Sequence, residues 1–126
     1  MIKLEHVTKS YILGEEEVRA VKDVSIIIKE KEFIGIMGTS GSGKSTLMHL
    51  IGLLELPTTG KIIQEGMDIS KLSDTELSKI RNKTVGFVFQ SFNLINRFTV
   101  LENVLLPVRY SKEKINFDAS SRAEEL

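Results

Sequence analysis

The stretch FIGIMGTSGSGKSTLMHLIGLL, residues 33–54, decides how the rest of the chain reads. Inside it, Gly38-Thr39-Ser40-Gly41-Ser42-Gly43-Lys44-Ser45 is a full match to the G-x-x-x-x-G-K-[ST] phosphate-binding loop. Phe33 to Met37 is a short apolar run that reads as a buried parallel strand. After the loop, Leu47, Leu50, Ile51 and Leu54 recur at i, i+3, i+4 and i+7, which predicts an amphipathic helix starting near Lys44. Strand, glycine loop and helix in that order are the context in which such a motif carries its chemistry. A bare turn between a strand and a helix needs neither the Lys-Ser pair nor three glycines.

The chemistry expected of the loop follows from its residue types. Glycines at 38, 41 and 43 permit backbone angles and approaches that a Cβ would obstruct. Successive N–H groups can then turn inward around an anion, and the start of the helix adds its own unpaired N–H groups. Lys44 is expected to reach the β- and γ-phosphates, the Ser45 hydroxyl to ligate Mg²⁺, and Thr46 to help hold the α/β region. Thr39, Ser40 and Ser42 complete the cradle.

Working outward, residues 1–32 read as antiparallel strands leaning on this core. Ile2, Leu4 and Val7 alternate with polar residues, Gly14 to Glu17 is a polar turn, and Val18 to Lys29 resumes an extended pattern before the charged turn Lys29-Glu30-Lys31-Glu32. Lys61 to Gln64 reads as a strand that pairs with this sheet, closed by Glu65-Gly66. Two capping boxes, Ser73-x-x-Glu76 and Thr99-x-x-Glu102, open helices, the second stopped by Pro107. Leu77 and Ile80 fall on the inner side of the first, and Leu101, Val104 and Leu105 on that of the second. Thr84 to Phe89 is a second apolar strand ending at Gln90, and Ser121-x-x-Glu124 begins a last helix. Met37 and Met48 read as core fillers. His6 and His49 receive no chemical role.

Composition sets the outer limits. A chain of 126 residues with 41% hydrophobic and 27% charged residues is globular rather than disordered. With 17 basic and 17 acidic residues the formal net charge is zero, which gives no footprint for nucleic acid. Zero cysteines exclude disulfides and thiolate metal sites. Apolar runs are too short for a membrane span and the N-terminus is no signal peptide, so a cytoplasmic protein without direct membrane insertion is expected.

Taken together, the segments LEHVTKSY (4–11), EEEVRAVKDVSI (15–26), GIMGTSGSGKSTLMHLIGLLELPTTGKI (35–62), SKLSDTELSKIRNKTVGFVFQSFNLI (70–95) and TVLENVLLP (99–107) resemble the nucleotide-binding subunit of an ABC transporter, of the lipoprotein-release and macrolide-export type. The resemblance implies an α/β P-loop NTPase core, incomplete here, with an N-terminal antiparallel β subdomain. It makes residues 1–126 the N-terminal portion of an ABC-type nucleotide-binding domain. The LSGGQ-type signature, the apolar strand ending in Asp-Glu and the switch histidine of the family do not occur in these 126 residues.

The roles implied are specific. Tyr11 falls where the family stacks an aromatic ring on adenine, although on its own it reads as an ordinary packing residue. Gln90 falls on the Q-loop glutamine that meets Mg²⁺ or the attacking water, although on its own it reads as a polar strand terminus. Ser91 to Glu102 resembles the segment that faces a transmembrane permease subunit. Its apolar Phe92, Leu94, Ile95 and Phe98 fit either a protein contact or core packing. Asn96-Arg97-Phe98 departs from the proline and leucines frequent there. A second nucleotide-binding subunit is the other partner implied, and the chain would sit at the inner face of the cell membrane through its permease.

The expected function is therefore the MgATP-binding part of an ATPase that powers export or release. These 126 residues are expected to hydrolyse ATP poorly, because the acid that polarises water is not among them. The competing expectation is a catalytically incompetent nucleotide-binding module that occupies or regulates a permease. A small P-loop kinase is disfavoured, for want of an arginine-rich lid.

Overall fold

The computed structural model describes residues 1–111 and 115–125, in two compact units, Met1–Leu77 and Ser78–Leu126. The first unit is built on a four-stranded antiparallel sheet of order β2-β1-β3-β4, with β1 at Ile2–Leu13, β2 at Glu16–Ile28, β3 at Thr59–Gln64 and β4 at Met67–Asp68. The alternation at the N-terminus sets the register. Leu4 faces Ile26 on one side and Ile62 on the other, and Val7 faces Val24. Leu4, Val7, Val21, Ile62 and Ile69 are buried, together with Leu50 and Leu53 from beyond the phosphate loop and Leu77. At roughly 1.5–3 kcal/mol per fully buried aliphatic side chain, these residues hold the unit together.

α1 runs over Lys44–Ile51 and ends at Gly52, one turn earlier than the apolar spacing predicts. Leu53 then takes a left-handed φ of 59° and the chain wraps back, with the Leu54 amide donating to the His49 carbonyl at 2.8 Å. Leu53 is thereby buried, whereas Leu54, expected on the inner face, is exposed. Met48 and Met37 are likewise exposed, not core fillers. Residues 55–58 lie along β1: the Thr58 amide donates to the Thr8 carbonyl at 2.8 Å and the Ser10 amide to Thr58 Oγ1 at 3.0 Å. β4, unforeseen in the sequence, is only two residues long.

The two apolar strands expected on either side of the nucleotide motifs are not strands. Residues 33–37 and 85–89 belong to no ladder among the described residues. Phe33 is 99% exposed and Val88 fully so. A parallel strand is stable only with neighbours along both edges and cover on both faces. Within its own unit neither segment has such neighbours, and Phe33, Ile34, Met37, Val88 and Phe89 are left exposed.

The boundary between the units falls within α2 (Asp74–Thr84), which is opened by the predicted box, in which Glu76 Oε2 accepts from the Ser73 amide at 3.0 Å. The second unit continues through the 85–99 stretch to α3 (Val100–Tyr110) and α4 (Ala119–Glu124). The capping box at Thr99 and Glu102 opens α3 as expected. Pro107 does not stop it: the proline is exposed and the helix runs three residues further. The one N–H it lacks leaves a carbonyl that water can reach. Val104, predicted inward, is 41% exposed. α4 starts earlier than predicted, because Asp118 caps it by accepting from the Ser120 and Ser121 amides at 3.0 and 3.4 Å.

Candidate nucleotide site

The phosphate loop is formed in the first unit. Gly41 and Gly43 take φ of 77° and 86°, alternating with residues of negative φ. Such alternation turns neighbouring N–H groups toward one side. Gly43 is also the residue before α1, in left-handed backbone, and gives the helix no side-chain cap. α1 has no acidic residue in its first turn. Its N-terminal N–H groups and the positive end of its dipole are thus left without a side-chain anion of the helix itself. The Leu47 amide accepts its place in the helix by donating to the Gly43 carbonyl at 2.8 Å.

Close approach to main chain requires a glycine at 43, whereas at 38 a Cβ would displace only a serine hydroxyl. A Cβ on Gly43 would overlap the Ala20 carbonyl oxygen of β2, and would lie 3.2 Å from the carbonyl carbon. A Cβ on Gly38 would sit 2.6 Å from Ser42 Oγ and 3.8 Å from Lys44 Cδ. Lys44 folds back across the loop, its Nζ donating to the Thr39 carbonyl at 2.5 Å. The Ser42 amide donates to the same carbonyl at 3.3 Å. Thr39, Ser40 and Ser45 are exposed, and Thr46 is half-buried. A nest of amides, a cation folded over it and a free hydroxyl at the helix start fit a nucleotide's phosphates and a hard cation.

Tyr11, from β1, comes to the same place. Its hydroxyl donates to Glu55 Oε2 at 2.7 Å and also meets the Thr46 hydroxyl. Burial pushes the Tyr11 hydroxyl above its usual range and the Glu55 bond adds to this, whereas Thr46 pulls the other way. Glu55 was not singled out in the sequence. Burial would push its carboxyl up, but hydrogen bonds from Tyr11, Lys9 and His49 prevail and leave it below the usual carboxylate range. The legible signal was an acid just past the helix, opposite Lys9 and Tyr11 at i and i+2 of one strand face.

Gln90 lies in the second unit, exposed at a bend after residues 85–89. The segment after it is organised by Asn103, which no motif in the sequence marks. Asn103 Oδ1 accepts from the Ile95 amide at 2.8 Å, and its Nδ2 lies within 3.2 Å of the Ile95, Phe98 and Thr99 carbonyls. This clamp leaves a groove of about 380 Å³ lined by Leu94, Ile95, Phe98, Val100 and Val104. Phe92 stands 92% exposed beside it in sequence.

Residues 21–126 match the ABC transporter family. The chain belongs to that family. Among its relatives, the macrolide export ATP-binding/permease protein MacB of Chlorobaculum tepidum is 49% identical over 126 residues, covering 98% of this chain and 19% of that protein. An uncharacterized ABC transporter ATP-binding protein of Methanocaldococcus jannaschii is 54% identical over 108 residues, 86% of this chain and 46% of that one. A dimeric post-hydrolysis structure of that archaeal ATP-binding cassette, bound to ADP and Pi, superposes with a TM-score of 0.88 at 48% identity. It aligns with 99% of this ABC-family chain, which covers 55% of the archaeal one. The chain thus spans about half the length of the single-cassette relatives. The antiparallel β subdomain and the loop-helix order expected of a P-loop cassette fit these neighbours, whereas residues 33–37 are not a strand. Among the described residues no helix is long and apolar enough to cross a membrane.

Proposed function

We propose that this chain is the N-terminal portion, residues 1–126, of an ABC-type nucleotide-binding domain, and that it binds MgATP at residues 38–46. The observation that carries the reading is the left-handed Gly41 and Gly43 leading into an α1 with no acidic first turn and no side-chain cap. Backbone amides of Gly38 to Ser45 hold the phosphates, and Lys44 leaves the Thr39 carbonyl to neutralise the β/γ region. Ser45 is the metal-facing group of the loop, Thr46 steadies the α/β region, and Tyr11 stacks under adenine; Gln90 takes its metal- or water-facing role from its place in the family sequence. Mg²⁺, when bound, neutralises phosphate charge and orients it for displacement.

Turnover is a separate matter. Residues 38–46 contain no carboxylate, and Gln90 is a neutral amide that orients water without polarising it. The 126 residues therefore bind ATP and hydrolyse it poorly by themselves. The complete protein would couple ATP binding and hydrolysis to export or release through a transmembrane permease held by Ser91–Glu102, together with a second nucleotide-binding subunit. The apolar groove over α3 supports the permease contact, and the chain would lie on the cytoplasmic side without entering the bilayer.

Competition against a fluorescent ATP analogue tests binding, with Lys44→Ala expected to lose about tenfold or more in affinity. Phosphate release measured on the same chain tests turnover. A rate equal to that of an intact transporter ATPase would refute the hydrolysis claim. Steady-state turnover in the presence of a permease separates an energising subunit from a module that only occupies the permease.

A further inference from the structure

Glu55 sits where three elements of the first unit meet, and all its polar neighbours are donors. Its Oε2 accepts from the Tyr11 hydroxyl at 2.7 Å and lies 3.1 Å from Lys9 Nζ, and its Oε1 lies 3.2 Å from His49 Nδ1. Lys9 also donates to the Leu56 carbonyl at 2.9 Å. The carboxylate is itself fixed, because residues 55–58 are zipped along β1 and the Glu55 amide turns back to the His49 carbonyl at 3.4 Å. The Lys9 ammonium stands over the Tyr11 ring, 5.3 Å from its centroid. The Tyr11 hydroxyl is anchored at one end and one ring face already holds a cation.

We infer that Glu55 and Lys9 are positioning residues for base recognition: they fix the Tyr11 ring so that the face away from the Lys9 ammonium is offered to an adenine. The inference rests on the reading that Tyr11 receives the base. A tyrosine free to rotate would have to be ordered on each binding event, and a stacked base would lose affinity accordingly. Holding the ring beforehand removes that loss. Only the base is affected, since the phosphates are held by the loop.

The test compares ATP with inorganic tripolyphosphate, both with Mg²⁺, by competition binding to the 126-residue chain. Tyr11→Ala removes the stacking platform and is expected to weaken ATP about tenfold. Tyr11→Phe keeps the ring and removes its anchor, and Glu55→Ala removes the anchor from the other side. Each is expected to weaken ATP about threefold to fivefold and tripolyphosphate less than about twofold. Because both variants break the Tyr11–Glu55 bond, the double variant should be weaker by less than the product of the two single losses. A purely structural clamp would instead move both ligands together, and that result overturns the inference, as does a multiplicative double variant. If Tyr11→Ala leaves ATP affinity unchanged, the stacking reading itself fails. If it weakens ATP while Tyr11→Phe and Glu55→Ala do not, the positioning inference alone fails. Should Glu55→Ala not fold, Tyr11→Phe decides by itself.

Discussion

Placing a methyl group at Gly43 makes the sharpest demand on this architecture. The residue holds φ at 86°, and its would-be Cβ overlaps the Ala20 carbonyl oxygen, with Val21 Cγ2 a further 3.8 Å neighbour. Forcing an alanine into left-handed backbone costs about 1–2 kcal/mol. The overlap is with main chain, not with a flexible side chain that could swing away. Ala20 lies in β2 at a register shift, and its neighbours Arg19 and Val21 pair with Ser10 and Lys9 of β1, so moving its carbonyl pulls on paired residues at either side. Relief by a backbone shift adds about 1–3 kcal/mol, for about 2–5 in all. Gly41 is the control: its φ is 77°, but nothing lies within 4 Å of its Cβ position, so Gly41→Ala should cost only about 1–2 kcal/mol. Urea denaturation of both variants, followed by far-UV circular dichroism, reads the difference. Equal midpoints for Gly41→Ala and Gly43→Ala would refute the claim that the loop is seated against β2.

Lys44→Ala should weaken nucleotide and tripolyphosphate binding together, by about tenfold or more, yet shift stability by less than about 0.5 kcal/mol, because the bond it makes among the described residues is to an exposed loop carbonyl. Calorimetric binding beside a thermal melt checks both halves. Thr99→Ala removes the α3 cap and should destabilise the second unit by about 1 kcal/mol in denaturant titration. The same cap has a pH dependence: backbone and side-chain bonds from Thr99 hold the Glu102 carboxyl below its usual range. Its contribution is therefore present above the unfolded pKa of about 4.3, and is lost as pH falls through the lower folded value. The wild-type melt should lose this contribution in acid, and Glu102→Gln should flatten that part of the profile. Asn103→Leu should free residues 95–99, seen as proteolytic nicking there at protease levels that leave the wild type intact.

Which parts of this were written plainly in the sequence follows a physical rule. Elements fixed by local chemistry were legible: the glycine loop, the start of α1 at Lys44, both capping boxes, and the antiparallel pairing of residues 1–32 with Lys61–Gln64. Features that depend on partners far away were not. Residues 33–37 and 85–89 have the composition of buried strands, but composition alone cannot supply the neighbouring ladder. Met37 and Met48 were misplaced for the same reason. Pro107 shows that a missing N–H is tolerable on a wet helix face, and Asp118 caps α4 in place of Ser121 because its carboxylate reaches the Ser120 and Ser121 amides. In the site, loop residues announced themselves by spacing. Glu55 and Asn103 did not, because each acts through bonds to atoms that only folding brings near.

The ladder-free backbone of residues 33–37 has a thermodynamic consequence for ligand affinity. In a cradle flanked by a paired strand on one side and a helix on the other, both arms are immobilised before the ligand arrives. Here α1 and the Gly43 contact with β2 secure one arm, while among the described residues no ladder bond secures the incoming arm. Fixing a residue's backbone consumes about 1–2 kcal/mol of chain entropy. Immobilising even two of these five residues on binding would weaken the intrinsic affinity by about one to three orders of magnitude. Any neighbouring strand that pairs with residues 33–37 would return that affinity without touching the ligand, which makes sheet completion and nucleotide binding thermodynamically linked.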